Sequence, residues 1–262
     1  MRYISISVAN ILAVLSLSTY LIDGNVDISL GLCEQFALFS AAGISFDGAM
    51  TTVHTGNIGV SPGTAITGLR QLDAGSEEIN TPLANGCRAD MTTAYITVDA
   101  AACPISNTIA DLAGKTLLPG VYCSASSISL SSSSATLDGN QDPNAQWIFQ
   151  AGTSFISAAA TSFTLINGAK VANIYWIVGS ATTIGSSSSM VGNIFAQTAI
   201  TFNSGSTIIG RAFAMTAVTF EGGSLVTLPA SVTLSPTAGP ILDSTSSQPI
   251  ICAHQLSLQP VN

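Results

Sequence analysis

A chain of 262 residues with a formal net charge of -8 has room for one mid-sized domain with a substantial core, yet only 8% of its residues are Asp, Glu, Lys or Arg, against about 25% in ordinary globular proteins. Its six cationic residues, Arg2, Arg70, Arg88, Lys115, Lys170 and Arg211, are scattered. They form no basic stripe that could displace phosphate counterions, so nucleic acid is not a partner, and the same count argues against anionic membrane surfaces.

The first segment, MRYISISVANILAVLSLSTYLI, has one early cation and then an apolar stretch diluted with Ser, followed by the polar Asp23-Gly24-Asn25. It reads as a secretory signal peptide over residues 1–24 and implies a secreted, extracellular protein. No later segment approaches the roughly 18 continuous apolar residues that span a bilayer. In an exported chain the five cysteines, Cys33, Cys87, Cys103, Cys123 and Cys252, read as disulfides, and no C-x-x-C pair argues for zinc. Five is odd, so at least one is free or pairs between chains. Cys87 and Cys103 bracket a candidate helix and could close it off, but connectivity stays open at this level.

Asn57-Ile58-Gly59-Val60 followed by Thr64-Ala65-Ile66-Thr67 reads as part of a β-coil, interrupted for about fifty residues and then resumed. Inside the interruption, about 75–114, Met91, Ala94, Tyr95 and Val98 recur at helical spacing. Asp90 is the expected N-cap and Pro104 ends the run. The expectation is a helix lying along one wall and covering its apolar side chains.

Downstream the chain repeats. NIFAQTAITFNSGSTIIG, residues 193–210, and RAFAMTAVTFEGGSLVTL, residues 211–228, are two 18-residue versions of one pattern, and NIYWIVGSATTIGSSSSMVG, residues 173–192, is a longer third. Each resolves into three short alternating runs divided by Gly or Ser corners, which is a strand signature. Three strands per turn, repeated, describe a mainly β solenoid of triangular cross-section, in which stacking supplies the core that no single coil can. Residues 120–137 and 146–165 continue it with less fidelity. The solenoid domain is expected over 28–235. Residues 236–262 form a tail or cap; residues 232–234 add a final strand or close the open end, and Cys252 could tether the tail.

The alternation turns Ile200 and Phe202 inward and Ala199 and Thr201 outward; in the next coil Ala217 and Thr219 point out. Stacking sets such pairs in columns, about 6.6 Å apart along a strand and about 4.8 Å between coils. The columns continue through Ala181 and Thr183, Ser154 and Ile156, and Ser127 and Ser129, with Thr64 to Thr67 as an offset member. Thr182 points inward, and Ile156 is bulky. Other outward positions carry Tyr175, Gln197, Arg211 and Met215, whereas this face keeps small residues and no charge before Glu221. Thr is common in any strand, but a flat, rigid, uncharged lattice of methyls and hydroxyls is suited to ordering water.

The segments LGLCEQFALFSAAGIS, TGNIGVSPGTAITGL, LAGKTLLPGVY, LDGNQDPNAQWIFQAGTSF, NGAKVANIYWIVGSATTIG, VGNIFAQTAITF and IIGRAFAMTAVTFEG, spanning roughly residues 30–228, resemble the microbial ice-binding protein family of irregular β-solenoids. The resemblance implies a right-handed triangular β-helix flanked by one long helix, and antifreeze activity by adsorption to ice without a cofactor. The family's T-A/G-x-T/N ice-face motif falls on Thr198, Ala199 and Thr201, on Thr216, Ala217 and Thr219, and on Thr64, Ala65 and Thr67. With Ala181, Thr183, Ser154, Ser127 and Ser129 these are the expected ice-contacting residues. The partners implied are the ice surface and ordered water, met by a monomer.

Two rival classes are weaker. A polysaccharide-active enzyme needs paired carboxylates or a base with cationic partners on one face. From 121 to 228 the only charged residues are Asp138, Asp142, Lys170, Arg211 and Glu221, and the first two sit in turn contexts. His54 and His254 have no nucleophile motif nearby. An adhesin would need exposed aromatics or a large apolar patch, whereas Trp147, Trp176 and most Phe residues fall inward by the alternation.

Overall fold

The computed structural model describes residues 21, 22 and 25–230; most of the leader, residues 232–234, Cys252, His254 and the rest of the tail lie outside them. Strands stack in parallel ladders on three walls. One wall runs Ile128–Leu130, Phe155–Ser157, Thr182–Ile184, Ile200–Phe202, Ala217–Phe220, residues 43–46 of Gly43–Val53 and residues 65–68 of Ala65–Leu72. A second carries Gly120–Ser124, Trp147–Ala151, Ile174–Val178, residues 193–196, residues 211–214, Phe36–Ser40, Asn57–Val60 and Glu77–Ile79. The third closes each turn, from Thr116–Leu117 through Leu225–Thr227 to residues 70–72.

Spatial order is not chain order. The two N-terminal coils do not precede the coil at residue 120; they stack on the last C-terminal one, where Phe220 pairs with Phe46 and Phe213 with Phe39. Thr64 to Thr67 therefore form the end rung, in register beyond residues 43–46, and are not an offset member. The chain lays down two coils at one end, returns along a helix, and then climbs coil by coil until it meets its own beginning.

That return is the helix α1, Pro82–Asp99. It starts eight residues before Asp90, because Thr81 is the N-cap, accepting from Ala84 N at 3.2 Å, and Pro82 occupies the first turn. The pairing of capping hydroxyl and N1 proline stabilises the start; the Asn85-Gly86 pair within the first turns hid it from a periodicity search. Asp90 lies mid-helix and its carboxylate accepts from Leu32 N at 2.7 Å. Eighteen residues rise about 27 Å. Glu78, Gly59, Phe39, Phe213, Phe195, Ile177 and Gln150 lie in successive rungs, so six steps of about 4.8 Å span a similar length. The fit is used at both ends: Thr81 Oγ1 donates to Glu78 at 2.6 Å, and the Gln150 amide donates to the carbonyls of Val98, Asp99 and Ala101 at 3.1, 3.1 and 2.9 Å. They belong to the last turn of the helix and its exit, where carbonyls run out of intrahelical donors.

Two cores result. Inside the solenoid pack Trp147, Phe149, Phe155, Trp176, Phe202 and Phe220 among others. Between α1 and its wall lie Phe36, Phe39, Ile148, Tyr175, Phe195 and Phe213 against Cys87, Met91, Ala94, Tyr95 and Val98. Six phenylalanines thus point inward and four outward, under the helix. Tyr175 and Arg211, expected to face outward, do leave the solenoid interior but are buried there. The disulfides are Cys33 with Cys87 and Cys103 with Cys123. Cys87 and Cys103 do not close the helix on itself; each instead ties one part of the excursion to a neighbouring segment.

Candidate functional site

The repeated Thr phrase lies on the first wall, which α1 does not cover. One outward column reads Ser129, Ile156, Thr183, Thr201, Thr219, Ser45 and Thr67. Beside it run Ser127, Ser154, Ala181, Ala199, Ala217, Gly43 and Ala65, aligned by ladder pairs and by Ile128 N to Ser154 O, Phe155 N to Ala181 O and Thr182 N to Ala199 O at 2.9, 3.2 and 2.9 Å. At the corner, Thr198 N donates to Ser180 O, Thr216 N to Thr198 O and Ala42 N to Thr216 O at 3.0, 2.8 and 2.8 Å, which stacks Thr198 on Thr216; Thr64 occupies the corresponding corner of the end coil. Eleven of the fourteen expected residues stand in these two columns, and Thr64, Thr198 and Thr216 line the corner beside them.

The alternation that exposes these groups buries their neighbours. Ile44, Ile200 and Val218 are buried behind the small column and Phe46, Phe202 and Phe220 behind the next position. The three rings stack nearly parallel, with centroids 4.5 Å apart for Phe202 and Phe220 and 5.3 Å for Phe220 and Phe46. Ring-on-ring contact at the ladder spacing holds the rungs level. At the far rung a tight turn is needed: Gly68 has φ 88°, and a Cβ there would fall 1.8 Å from Phe46 O, so only glycine fits.

Chemically the wall offers hydroxyls and methyls and nothing that titrates between its ends. Ser45 donates to Thr219 Oγ1 at 3.2 Å, while Thr183, Thr201 and Thr219 are half-buried and open to solvent on their outer side. At one end Asp111 bridges to Ser129. Its carboxylate accepts from Ser131 Oγ, from Ser131 N at 3.1 Å and from Ala113 N at 3.1 Å; the Ser131 hydroxyl, more than any other group, holds its pKa below the usual carboxylate range. At the other end the charges are Asp47, Arg70, Asp73, Glu77 and Glu78.

The candidate catalytic groups do not meet. Asp138, the last residue of strand Ala135–Asp138, accepts from Asn140 N at 2.9 Å and Asn167 Nδ2 at 2.8 Å, and Asp142 accepts from Asn144 N at 2.8 Å. Arg211 is buried, donating to Asn193 Oδ1 at 2.9 Å and Glu34 O at 3.0 Å. His54 pairs with Asp73 at the solenoid end. Among the described residues no three His, Cys, Asp or Glu side chains group as metal ligands, and no helix is long and apolar enough to cross a membrane.

One rung of the wall escaped the sequence reading. Gly43-Ile44-Ser45-Phe46 occupies the position between Ala217–Phe220 and the end coil. The signal was present, since G-I-S-F matches A-I-T-F and A-V-T-F position by position, but it lies about 170 residues away and lacks the leading Thr.

A parallel β-solenoid with a braced helix and one flat, uncharged Thr/Ser/Ala wall defines the class. The chain belongs to the Ice-binding-like family, whose profile matches residues 38–226. It is 33% identical over 195 residues to an ice-binding protein of Nostoc sp., covering 73% of this chain and 71% of that one. It is 30% identical over 218 residues to one of Typhula ishikariensis, covering 74% and 88%. Among solved structures it is similar to an ice-binding protein from an Antarctic biological consortium, with TM-score 0.73, 34% identity and coverage of 80% and 94%. It also resembles the ice-binding protein of the ascomycete Antarctomyces psychrotrophicus, with TM-score 0.72, 33% identity and coverage of 76% and 97%.

Proposed function

We propose that this protein adsorbs to ice through the Thr/Ser/Ala wall, and that bound molecules pin the growing front, producing thermal hysteresis and inhibiting recrystallisation. The observation that carries the reading is the unbroken register of Thr183, Thr201, Thr219, Ser45 and Thr67 on a wall without charge. Hydroxyls hydrogen-bond surface water while Thr and Ala methyls sit in hollows of the lattice. Each contact is weak, but a pre-built scaffold makes them simultaneous and avoids an ordering cost on binding. The relatives' names point to the same ligand.

The protein is read as a non-enzymatic, secreted monomer whose partners are ice and ordered water, not nucleic acid or membrane. The scattered carboxylates support the first point and the two disulfides the second. Monomeric behaviour is supported at the open end coil. Arg70 pairs there with Glu77 at 2.6 Å and His54 with Asp73, and charge on an exposed strand edge discourages pairing with a second chain. The test is to watch ice crystals grow in purified protein at micromolar concentration. Faceted crystals with arrested growth are expected; freely growing, unfaceted discs reject the reading.

A further inference from the structure

Ile156 interrupts the wall. It sits in the hydroxyl column between Ser129 and Thr183, and 48% of it is exposed. Thr and Ile share a branched Cβ, but Ile replaces the hydroxyl with an ethyl group, which is one carbon longer than the groups on Thr183, Thr201 and Thr219 and offers water no donor. Past it the hydroxyls are engaged by neighbouring backbone and carboxylate groups. Ser129 Oγ donates to Ala110 O at 3.1 Å, and Ser131 Oγ donates to Asp111, so this end of the column is bonded into the capping segment.

Resting on the ice-binding reading above, we infer that Ile156 is the boundary of the contact surface. The working face is the five-rung block from Thr183 to Thr67, about 19 Å along the stack at 4.8 Å per rung. Ile156 acts as a step that keeps Ser154, Ser127 and Ser129 clear of the ice plane. The size of the adsorbed patch is therefore set by one side chain and not by the number of coils in the solenoid.

The step can be moved in both directions. Ile156→Thr extends the flat block by one rung and raises thermal hysteresis above that of the unmodified protein at equal molar concentration. Ile156→Val, which removes only the protruding carbon, gives a rise no larger than that of Ile156→Thr. Thr183→Ile moves the step inward by one rung and lowers the hysteresis. Far-UV circular dichroism and the melting temperature check that each variant is folded; all three keep a β-branched residue in a strand. Ile156→Thr at or below the unmodified level, or Thr183→Ile at that level, overturns the inference. The parent reading fails differently: if Thr201→Tyr, inside the block, retains full activity, the wall itself is wrong. Loss with Thr201→Tyr but no gain with Ile156→Thr leaves the wall and removes the boundary.

Discussion

Ser45 and Thr219 are 174 residues apart in sequence and adjacent in space, the Ser45 hydroxyl donating to Thr219 Oγ1 across 3.2 Å. This contact closes the seam between the first and last coils, and it makes one wall from two distant parts of the chain. If the wall works as a unit, Ser45→Tyr disrupts ice adsorption as severely as Thr219→Tyr, although no motif marks Ser45. Hysteresis measured on both variants, with unchanged circular dichroism, checks this.

Thr182 is the inward member of its rung, 1% exposed, and its hydroxyl has no hydrogen-bond partner. The equivalent positions hold Ile200 and Val218. A buried hydroxyl left unpaired costs about 1–3 kcal/mol, so Thr182→Val, nearly the same shape, is expected to stabilise by about 1 kcal/mol. Denaturant unfolding reads the gain. Ice activity stays unchanged because the outward Thr183 is untouched.

Tyr175 lies under α1, and burial raises its pKa from 10.0 to about 12. A raised folded-state pKa gives stability that is full below the unfolded value and is lost as pH climbs through the folded one. Stability is therefore expected to fall by about 3 kcal/mol between pH 10 and pH 12, from two units at 1.36 kcal/mol each. Tyr175→Phe flattens that part of the profile in pH-dependent melting.

The disulfides close chain loops of different size, Cys33 with Cys87 across 54 residues and Cys103 with Cys123 across 20. By loop-closure entropy the first is worth about 4 kcal/mol and the second about 3 kcal/mol. Reducing agent should lower the melting temperature. Replacing Cys33 and Cys87 by Ser should cost more than replacing Cys103 and Cys123. Equal losses from the two pairs would contradict the entropic ordering.

The parts of this fold that repeat were legible, and the parts that close it were not. Ile200 and Val218, with Thr201 and Thr219 beside them, follow a period of two that the backbone dictates, so inward and outward positions could be read locally. The order of the coils could not, because the pairing of Phe220 with Phe46 is a long-range event with no local cause; it follows only once a helix of matching length carries the chain back. The start of α1 was hidden for a related reason. Thr81 and Pro82 signal a cap, but Gly86 lowers the local helix propensity, and packing of Ala84 and Cys87 against the wall overrides it. The outward Phe36, Phe39, Phe195 and Phe213 likewise make sense only once the helix above them is known.

The central claim is that a flat, register-aligned Thr wall contacts ice. Thermal hysteresis of the unmodified protein against Thr201→Tyr, at equal concentration and with matching circular dichroism, tests it most directly. The account predicts clear hysteresis in the first and loss of most of it in the second; equal hysteresis in the two would contradict it.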